Sequence, residues 1–345
     1  MSEDLDHILG LTGGLWDEIR GKRLFITGGT GFFGRWLLES LACANEAFDL
    51  QASALVLTRE PSSFERNAPH LASNPAIRFH RGDIRDFSYP EGEFSHIIHA
   101  AATSAVATFK GEDPLVKFDT VVGGTRRVLD FALRCNASKF LLTSSGAVYG
   151  KQPSGITHIS EEYCGAPDPL DANSVWGESK RAAELLCARY ARKYGIETKI
   201  ARCFSFLGPH LQLDIHYAAG NFIRDGLKGG PILVKGDGTP YRSYLYATDL
   251  VVWLWTVLFK GKTCRAYNVG SEEETTIASL ANTVARGFPQ PVGVSVAGGG
   301  ISSDPAADRY VPSTRRAQKE LGLRQTVSLA EAVKRTISFN RARSL

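Results

Sequence analysis

The chain has 345 residues, 43% of them hydrophobic, with 40 Lys and Arg against 36 Asp and Glu for a formal charge of +4. That length suits one large domain or two interlocked ones with a sizeable core. The basic residues are dispersed, unlike the stripe of a nucleic-acid binder, and no apolar run approaches the roughly 18 residues of a membrane span.

Residues 1–21 read as a polar extension with one amphipathic stretch, and the acidic start, Met1-Ser2-Glu3-Asp4, is no signal peptide. Residues 23–27 read as a buried strand. Glycines at 28, 31 and 34 follow, and then 35–41, where apolar residues recur at helical spacing. In such a turn Gly28 permits the tight bend, Gly31 lets the backbone approach a pyrophosphate, and Gly34 lets helix and strand pack closely. The helix N-terminus then faces the phosphate.

Further strands are expected at 54–58, 77–80, 96–99, 139–144 and 197–203, and helices at 114–134 and about 174–194. Strands alternating with helices imply parallel β with right-handed crossovers, an α/β fold of the doubly wound, Rossmann type. Beyond Gly208-Pro209 the rhythm loosens into a helix near 221–228, a strand near 232–234, a helix near 248–258 and a helix-rich region from Thr276. The expected organisation is an extension (1–21), a dinucleotide-binding domain (22–208) to which later segments return, and a smaller substrate-binding lobe (209–345). Ligands of such sheets sit at the carboxyl ends of the strands, so the cleft of the two lobes is the expected site. Cysteines 43, 135, 164, 187, 203 and 264 form no C-x-x-C pair and have no His at zinc spacing. They read as reduced thiols of a cytoplasmic protein with no metal site.

Several ordered motifs accompany the glycine turn: Gly82-Asp83-Ile84-Arg85-Asp86, His99-Ala100-Ala101-Ala102, Thr143-Ser144-Ser145-Gly146-Ala147-Val148-Tyr149-Gly150 and Gly177-Glu178-Ser179-Lys180. Arg202-Cys203-Phe204 ahead of Gly208-Pro209, and Gly236-Asp237-Gly238-Thr239-Pro240-Tyr241-Arg242, complete the set. Together they make the chain, from roughly 22 to 325, resemble the extended short-chain dehydrogenase/reductases of the nucleotide-sugar epimerase/dehydratase group.

The resemblance implies an NAD(P)-dependent enzyme whose cofactor is held by Gly28, Thr30, Gly31, Phe32, Phe33 and Gly34. It puts Asp83 and Ile84 beside the adenine, and Ala100, Ala101 and Ala102 beneath the middle of the cofactor. Lys180 is implied on the nicotinamide ribose. NAD binders usually end the second strand on a carboxylate, whereas an Arg there accommodates the extra phosphate of NADP. This chain has Thr58 and then Arg59, whose fork suits a phosphate, so NADP is favoured over NAD.

Catalysis is where the chain departs from the family pattern of Ser/Thr with Tyr-x-x-x-Lys, in which the Lys lowers the phenol pKa and the phenolate takes a sugar proton. Ser145 and Lys180 match, but Trp176 occupies the Tyr slot. Indole nitrogen is a donor only, so Trp176 is no general base. Tyr149, Tyr163, His210 and His216 are the candidate replacements, with Tyr149 read as structural. Ser145 is followed by Gly146-Ala147 rather than the Asp-Glu pair of 4,6-dehydratases, and Val121 stands where the family commonly has Asn.

On the substrate side Asn221, Arg242 and Arg309 match positions that bind a nucleotide diphosphate, and two guanidiniums converging there make chemical sense. Asp249 reads as a helix cap. The function implied is hydride chemistry at C4 of a nucleotide-diphosphate sugar, of epimerase or 4-ketoreductase type, in polysaccharide or glycoside assembly. A weak or silent binding relative and a 4,6-dehydratase with a rearranged base stand as alternatives. Relatives often dimerise through two helices per subunit, here 114–134 and 174–194.

Overall fold

The computed structural model describes residues 1–103, 111–215, 217–298 and 308–344. Among them seven strands build one sheet: β1 (Arg23–Thr27), β2 (Ser53–Thr58), β3 (Ile77–Arg81), β4 (His96–His99), β5 (Lys139–Ser145), β6 (Glu197–Cys203) and, at the far edge, β8 (Ala266–Val269). Their order is β8-β6-β5-β4-β1-β2-β3, and β1 to β6 run parallel. The order reverses beside β1, because β2 lies on one side of it and β4 on the other. That reversal opens a crevice at the carboxyl ends of β1 and β4, where such sheets take ligands.

The central strands are buried on both faces and therefore read as continuous apolar runs, Leu24-Phe25-Ile26 and Phe140-Leu141-Leu142, rather than as an alternation. Helix α1 (Ser2–Thr12) opens the chain. Helix α2 (Phe32–Phe48) follows β1, and α3 (Pro61–Asn67) and α4 (Pro69–Ala72) lie between β2 and β3. Helix α5 (Pro114–Arg134) precedes β5, and α6 (Val175–Tyr194) precedes β6. Asp113 caps α5 by accepting from Leu115 N, and Pro114 supplies the fixed φ of its first position. Under α5 the rings of Phe25, Phe87, Phe94 and Phe131 pack with centroids 4.7–5.9 Å apart, geometry that adds to their area burial.

The chain divides into two compact units, residues 1–148, 166–203 and 251–267 in the first and 149–165, 204–250 and 268–345 in the second. The N-terminal extension belongs to the first. A 3-10 turn after α1 carries Trp16, whose ring lies 4.9 Å from Trp255 and 6.3 Å from Phe259. Glu18 accepts from His96 at 2.9 Å and pairs with Lys139 at 2.5 Å. The helix expected near 248–258 is α8 (Ala247–Lys260), in which Trp253 and Trp255 are fully buried.

The second unit includes α7 (Ala218–Leu227) and α9 (Ile277–Arg286) packed over a core of Phe222, Leu280 and Val284. It also holds a small sheet in which β7 (Tyr241–Ser243) lies between β9 (Glu274–Thr276) and β10 (Arg309–Tyr310). Asp249 lies inside the first turn of α8 rather than at its N-cap position. Its carboxylate accepts from the backbone of Thr326 and Val327 at 3.0 and 3.1 Å, so it ties a distant segment to the helix start.

Candidate active site

The turn after β1 is shaped by what its glycines exclude. Gly28 has φ of +72°, and a Cβ there would stand 2.5 Å from the carbonyl carbon of Ala100. A Cβ on Gly34 would meet Gly29 Cα at 2.2 Å, so helix α2 lies against the turn only because residue 34 has no side chain. Gly31 differs: an added Cβ would meet only Gly28 O, at 3.4 Å, and the residue is exposed at the N-cap of α2. The cap brings no side chain and the first turn of α2 no acid, which leaves the helix dipole facing outward. These features fit a dinucleotide pyrophosphate. Thr30 is exposed beside Gly31, with Phe32 and Phe33 half-buried on the first turn.

The neighbouring loop is pinned to the same strand. Ala100 N donates to Thr27 O and Ala101 N donates to Thr27 Oγ1, both at 3.1 Å. Thr27 Oγ1 lies 2.7 Å from His99 Nδ1, and His99 Nε2 lies 3.0 Å from Thr125 Oγ1. The hydroxyl proton of Thr125 goes to Val121 O at 2.6 Å, so Thr125 accepts from His99. His99 is therefore the Nε2–H tautomer, and the Thr27 hydroxyl donates to its Nδ1. Burial, with the Lys180 charge nearby, pushes His99 down to about 3. The Val121 side chain is buried in the core and its carbonyl is what serves the network. The members of this chain of bonds come from β1, β4 and α5, so no local motif around His99 announces it.

At the end of β2, Thr58 is buried and Arg59 exposed. Asp83 is occupied by Arg85, which donates to Oδ1 at 2.8 Å and to Oδ2 at 3.2 Å. That pair holds the carboxyl below its usual range, and Arg59 adds to the effect. Ile84 is buried beside Gly124.

Ser145 ends β5, and Trp176 and Lys180 stand one turn apart on α6. The indole Nε1–H donates to Ser145 Oγ at 3.2 Å, and Ala147 N donates to the same oxygen at 3.1 Å. Lys180 is 3% exposed. Its Nζ donates to Thr143 O at 2.8 Å and lies 5.0 Å from the centre of the Trp176 ring. Burial lowers it to about 8. Glu184, one further turn along, accepts from Ser144 at 2.6 Å and from Arg202 at 2.7 Å. The structure thus brings Ser145, Trp176 and Lys180 into one cluster.

The remaining predicted residues lie in the second unit. Tyr149 is buried and donates to Asn268 Oδ1 at 2.7 Å, a structural bond. Tyr163 packs near it at 6.3 Å, and the His210 ring meets Phe339 edge-on at 4.6 Å. His216 lies outside the described residues. Asn221 sits inside α7 and accepts from Arg224 at 2.9 Å. Arg242 pairs with Asp308 at 2.7 Å and Arg309 with Glu274 at 2.5 Å. In the parallel register Arg309 is opposite Tyr241 and Tyr310 opposite Arg242. Successive strand residues face opposite ways, so Arg242 and Arg309 project from opposite faces of this sheet rather than converging.

Among the described residues no group of three His, Cys, Asp or Glu gathers to hold a metal, and no helix is long and apolar enough to cross a membrane.

Comparison with known proteins agrees with this fold. UDP-glucuronic acid decarboxylase 1 of Arabidopsis thaliana is 31% identical over 324 residues, covering 94% of this chain and 71% of that protein. Decarboxylase 6 of the same plant is 30% identical over 313 residues, covering 90% and 86%. Among solved structures, the dTDP-glucose 4,6-dehydratase of Streptomyces venezuelae with NAD bound superposes with TM-score 0.75 at 26% identity, over 93% of this chain and 97% of that one. The UDP-glucuronic acid 4-epimerase of Bacillus cereus, in complex with UDP-glucuronic acid and NAD, gives 0.76 at 22% identity, over 93% and 99%, a likeness of fold. The profile of the NAD dependent epimerase/dehydratase family matches residues 24–270, and the chain belongs to that family of enzymes, built on the extended short-chain dehydrogenase/reductase fold.

Proposed function

We propose that the protein oxidises or reduces C4 of a nucleotide-diphosphate sugar, as an epimerase or 4-ketoreductase. The supporting observation is the cluster of Ser145, which ends β5, with Trp176 and Lys180 of α6, on the sheet whose β1 runs into the glycine turn. In this reading a pyridine dinucleotide lies on Gly28, Thr30, Gly31, Phe32, Phe33 and Gly34 and along Ala100, Ala101 and Ala102, with Ile84 and Asp83 toward its adenine. When bound, it supplies hydride acceptance and return. Arg59 favours NADP, since Thr58 presents no carboxylate to repel a 2′-phosphate. Ser145 donates to the C4 oxygen and Lys180 serves the nicotinamide end. Asn221 and Arg242 are assigned to the substrate diphosphate, with Arg242 exchanging Asp308 for it, while Arg309, on the opposite face of the small sheet, stays with Glu274.

The decarboxylase relatives make UDP-glucuronic acid the first substrate to test. A C4 ketone on that sugar lies β to the carboxylate, so the same oxidation would release carbon dioxide. The purified protein is to be incubated with NAD or NADP and with UDP-glucose, UDP-glucuronic acid or dTDP-glucose, with cofactor absorbance and product mass followed. Inverted C4 at unchanged mass supports epimerisation, and loss of carbon dioxide supports decarboxylation. Loss of water supports a 4,6-dehydratase, and binding without turnover a silent relative.

A homodimer through α5 and α6 is part of the proposal, supported by exposed Leu115, Val116, Phe118 and Leu185, and sedimentation equilibrium tests it. So is a cytoplasmic location, supported by six cysteines that are all unpaired.

A further inference from the structure

We propose that Lys117 is the counter-ion of a sugar carboxylate, which makes the substrate a nucleotide-activated uronic acid; this rests on the function proposed above. Lys117 is 8% exposed on the first turn of α5 and heads the buried stripe of that helix, with Val121, Gly124, Thr125 and Val128 below it. Among the described residues no carboxylate pairs with it, and residues 104–110 contain no acid. Of the acids nearest in sequence, Asp113 caps α5 through Leu115 N, Glu112 bears on Arg85, and Asp119 is exposed. An ammonium so far removed from water and without a counter-charge is costly, and an anion that arrives with the ligand relieves that cost.

The register of strands and helices puts Lys117 level with the cluster around Ser145. Thr125 is bonded to His99 at the end of β4, and Lys117 stands two turns before Thr125, about 12 Å further toward the carboxyl ends of the strands. Ser145 stands three residues past Leu142, the partner of His99, about 10 Å further the same way. Helices α5 and α6 both enter at that end and lie side by side, with Tyr190 donating to Asp130. Lys117 comes thirteen residues before Asp130 and Trp176 fourteen before Tyr190, so lysine and indole stand at one height. Helical side chains lean toward the N-terminus, which carries the ammonium outward to the crevice.

The face of the sheet decides which anion it meets. Phe25 packs on Phe131 of α5, whereas Ile26 points the other way, toward Gly29 and α2. The α2 N-terminus, where a pyrophosphate fits, is thus across the sheet from Lys117, while Trp176 and Lys180 of α6 are on its own side. A sugar whose C4 oxygen meets Ser145 carries its C6 group on the adjacent carbon, C5. A C6 carboxylate there supplies the missing charge, and a C6 hydroxymethyl does not. Gly146 and Ala147, which follow Ser145, bring no acid to repel it.

The test is calorimetric titration of the full chain, as wild type, Lys117→Met and Lys117→Arg. UDP-glucuronic acid and UDP-glucose are titrated without added pyridine nucleotide, so that no turnover occurs, and NAD and NADP are titrated separately. We expect the wild type to bind UDP-glucuronic acid about tenfold or more tightly than UDP-glucose. Lys117→Met should abolish that preference by weakening UDP-glucuronic acid alone, and Lys117→Arg, which keeps the charge, should retain most of it. Affinities for NAD and NADP should stay within about twofold. Lys117→Met should also raise the urea midpoint of the ligand-free protein, because it removes a buried charge that has no partner there.

A wild type that binds both sugars equally, or a Lys117→Met variant that weakens both sugars alike or loses NAD and NADP instead, overturns this role and leaves the proposed function standing. A lowered urea midpoint does the same, since it would reveal a partner inside the fold. A wild type that binds neither nucleotide sugar overturns both.

Discussion

Replacing a phenol by an indole at position 176 changes what its neighbours can do. A Tyr hydroxyl can donate or accept and can lose its proton, whereas the indole N–H is locked as a donor to Ser145. Restoring Trp176→Tyr should raise cofactor reduction by a nucleotide sugar about 10²- to 10⁴-fold, the usual range of general acid–base catalysis. Single-turnover absorbance checks it, and an unchanged or lower rate would show a site rebuilt around indole. Arg59 offers a second test at this scale. Arg59→Ala should weaken NADP about tenfold or more and NAD far less, as measured by calorimetric titration of both cofactors. Equal losses would remove the phosphate-reading role. Which residues stand at 145, 176 and 180 was legible from motif spacing alone. Their bond directions were not, since these follow from the Ala147 amide and the Thr143 carbonyl that folding brings to them.

At the scale of elements, the glycine turn and the strands around it were readable because parallel strands buried on both faces leave continuous apolar runs, and because Gly28 and Gly34 occupy positions where a Cβ has no room. Gly34→Ala should force α2 away from the turn, costing roughly 1–3 kcal/mol and most of the dinucleotide affinity. Urea unfolding and cofactor titration on the same sample check the two effects separately, and full retention of both would contradict the packing described. The second unit was less legible. Its strands are two or three residues long, and the sense in which Arg242 and Arg309 face depends on the register of β7 with β10, which no local pattern encodes. Asp249 is a similar case. An acid in the first turn of a helix suggests a cap, yet its oxygens serve backbone amides 77 and 78 residues away.

For the whole molecule, burial of an imidazole ties stability to acidity. His99 titrates at about 3 in the fold against about 6.5 in an unfolded chain, so the unfolded state binds the proton first as pH falls. Its contribution is complete above about pH 6.5 and is lost toward pH 3, with a slope of up to about 1.4 kcal/mol per pH unit. His96, also lowered by burial, acts in the same direction. His99→Gln should flatten this acid limb in urea unfolding measured between about pH 4 and pH 7. An unchanged slope would place the acid sensitivity elsewhere.

The N-terminal extension has a practical consequence for anyone shortening the chain. Its one indole covers Trp255 and Phe259, and its Glu18 carboxylate neutralises Lys139. A form trimmed after residue 20 would present water with an oily aromatic patch beside an uncompensated ammonium. Such a fragment should precipitate on concentration, and its tryptophan emission should move to the red, even though every residue proposed to touch cofactor or sugar is still present.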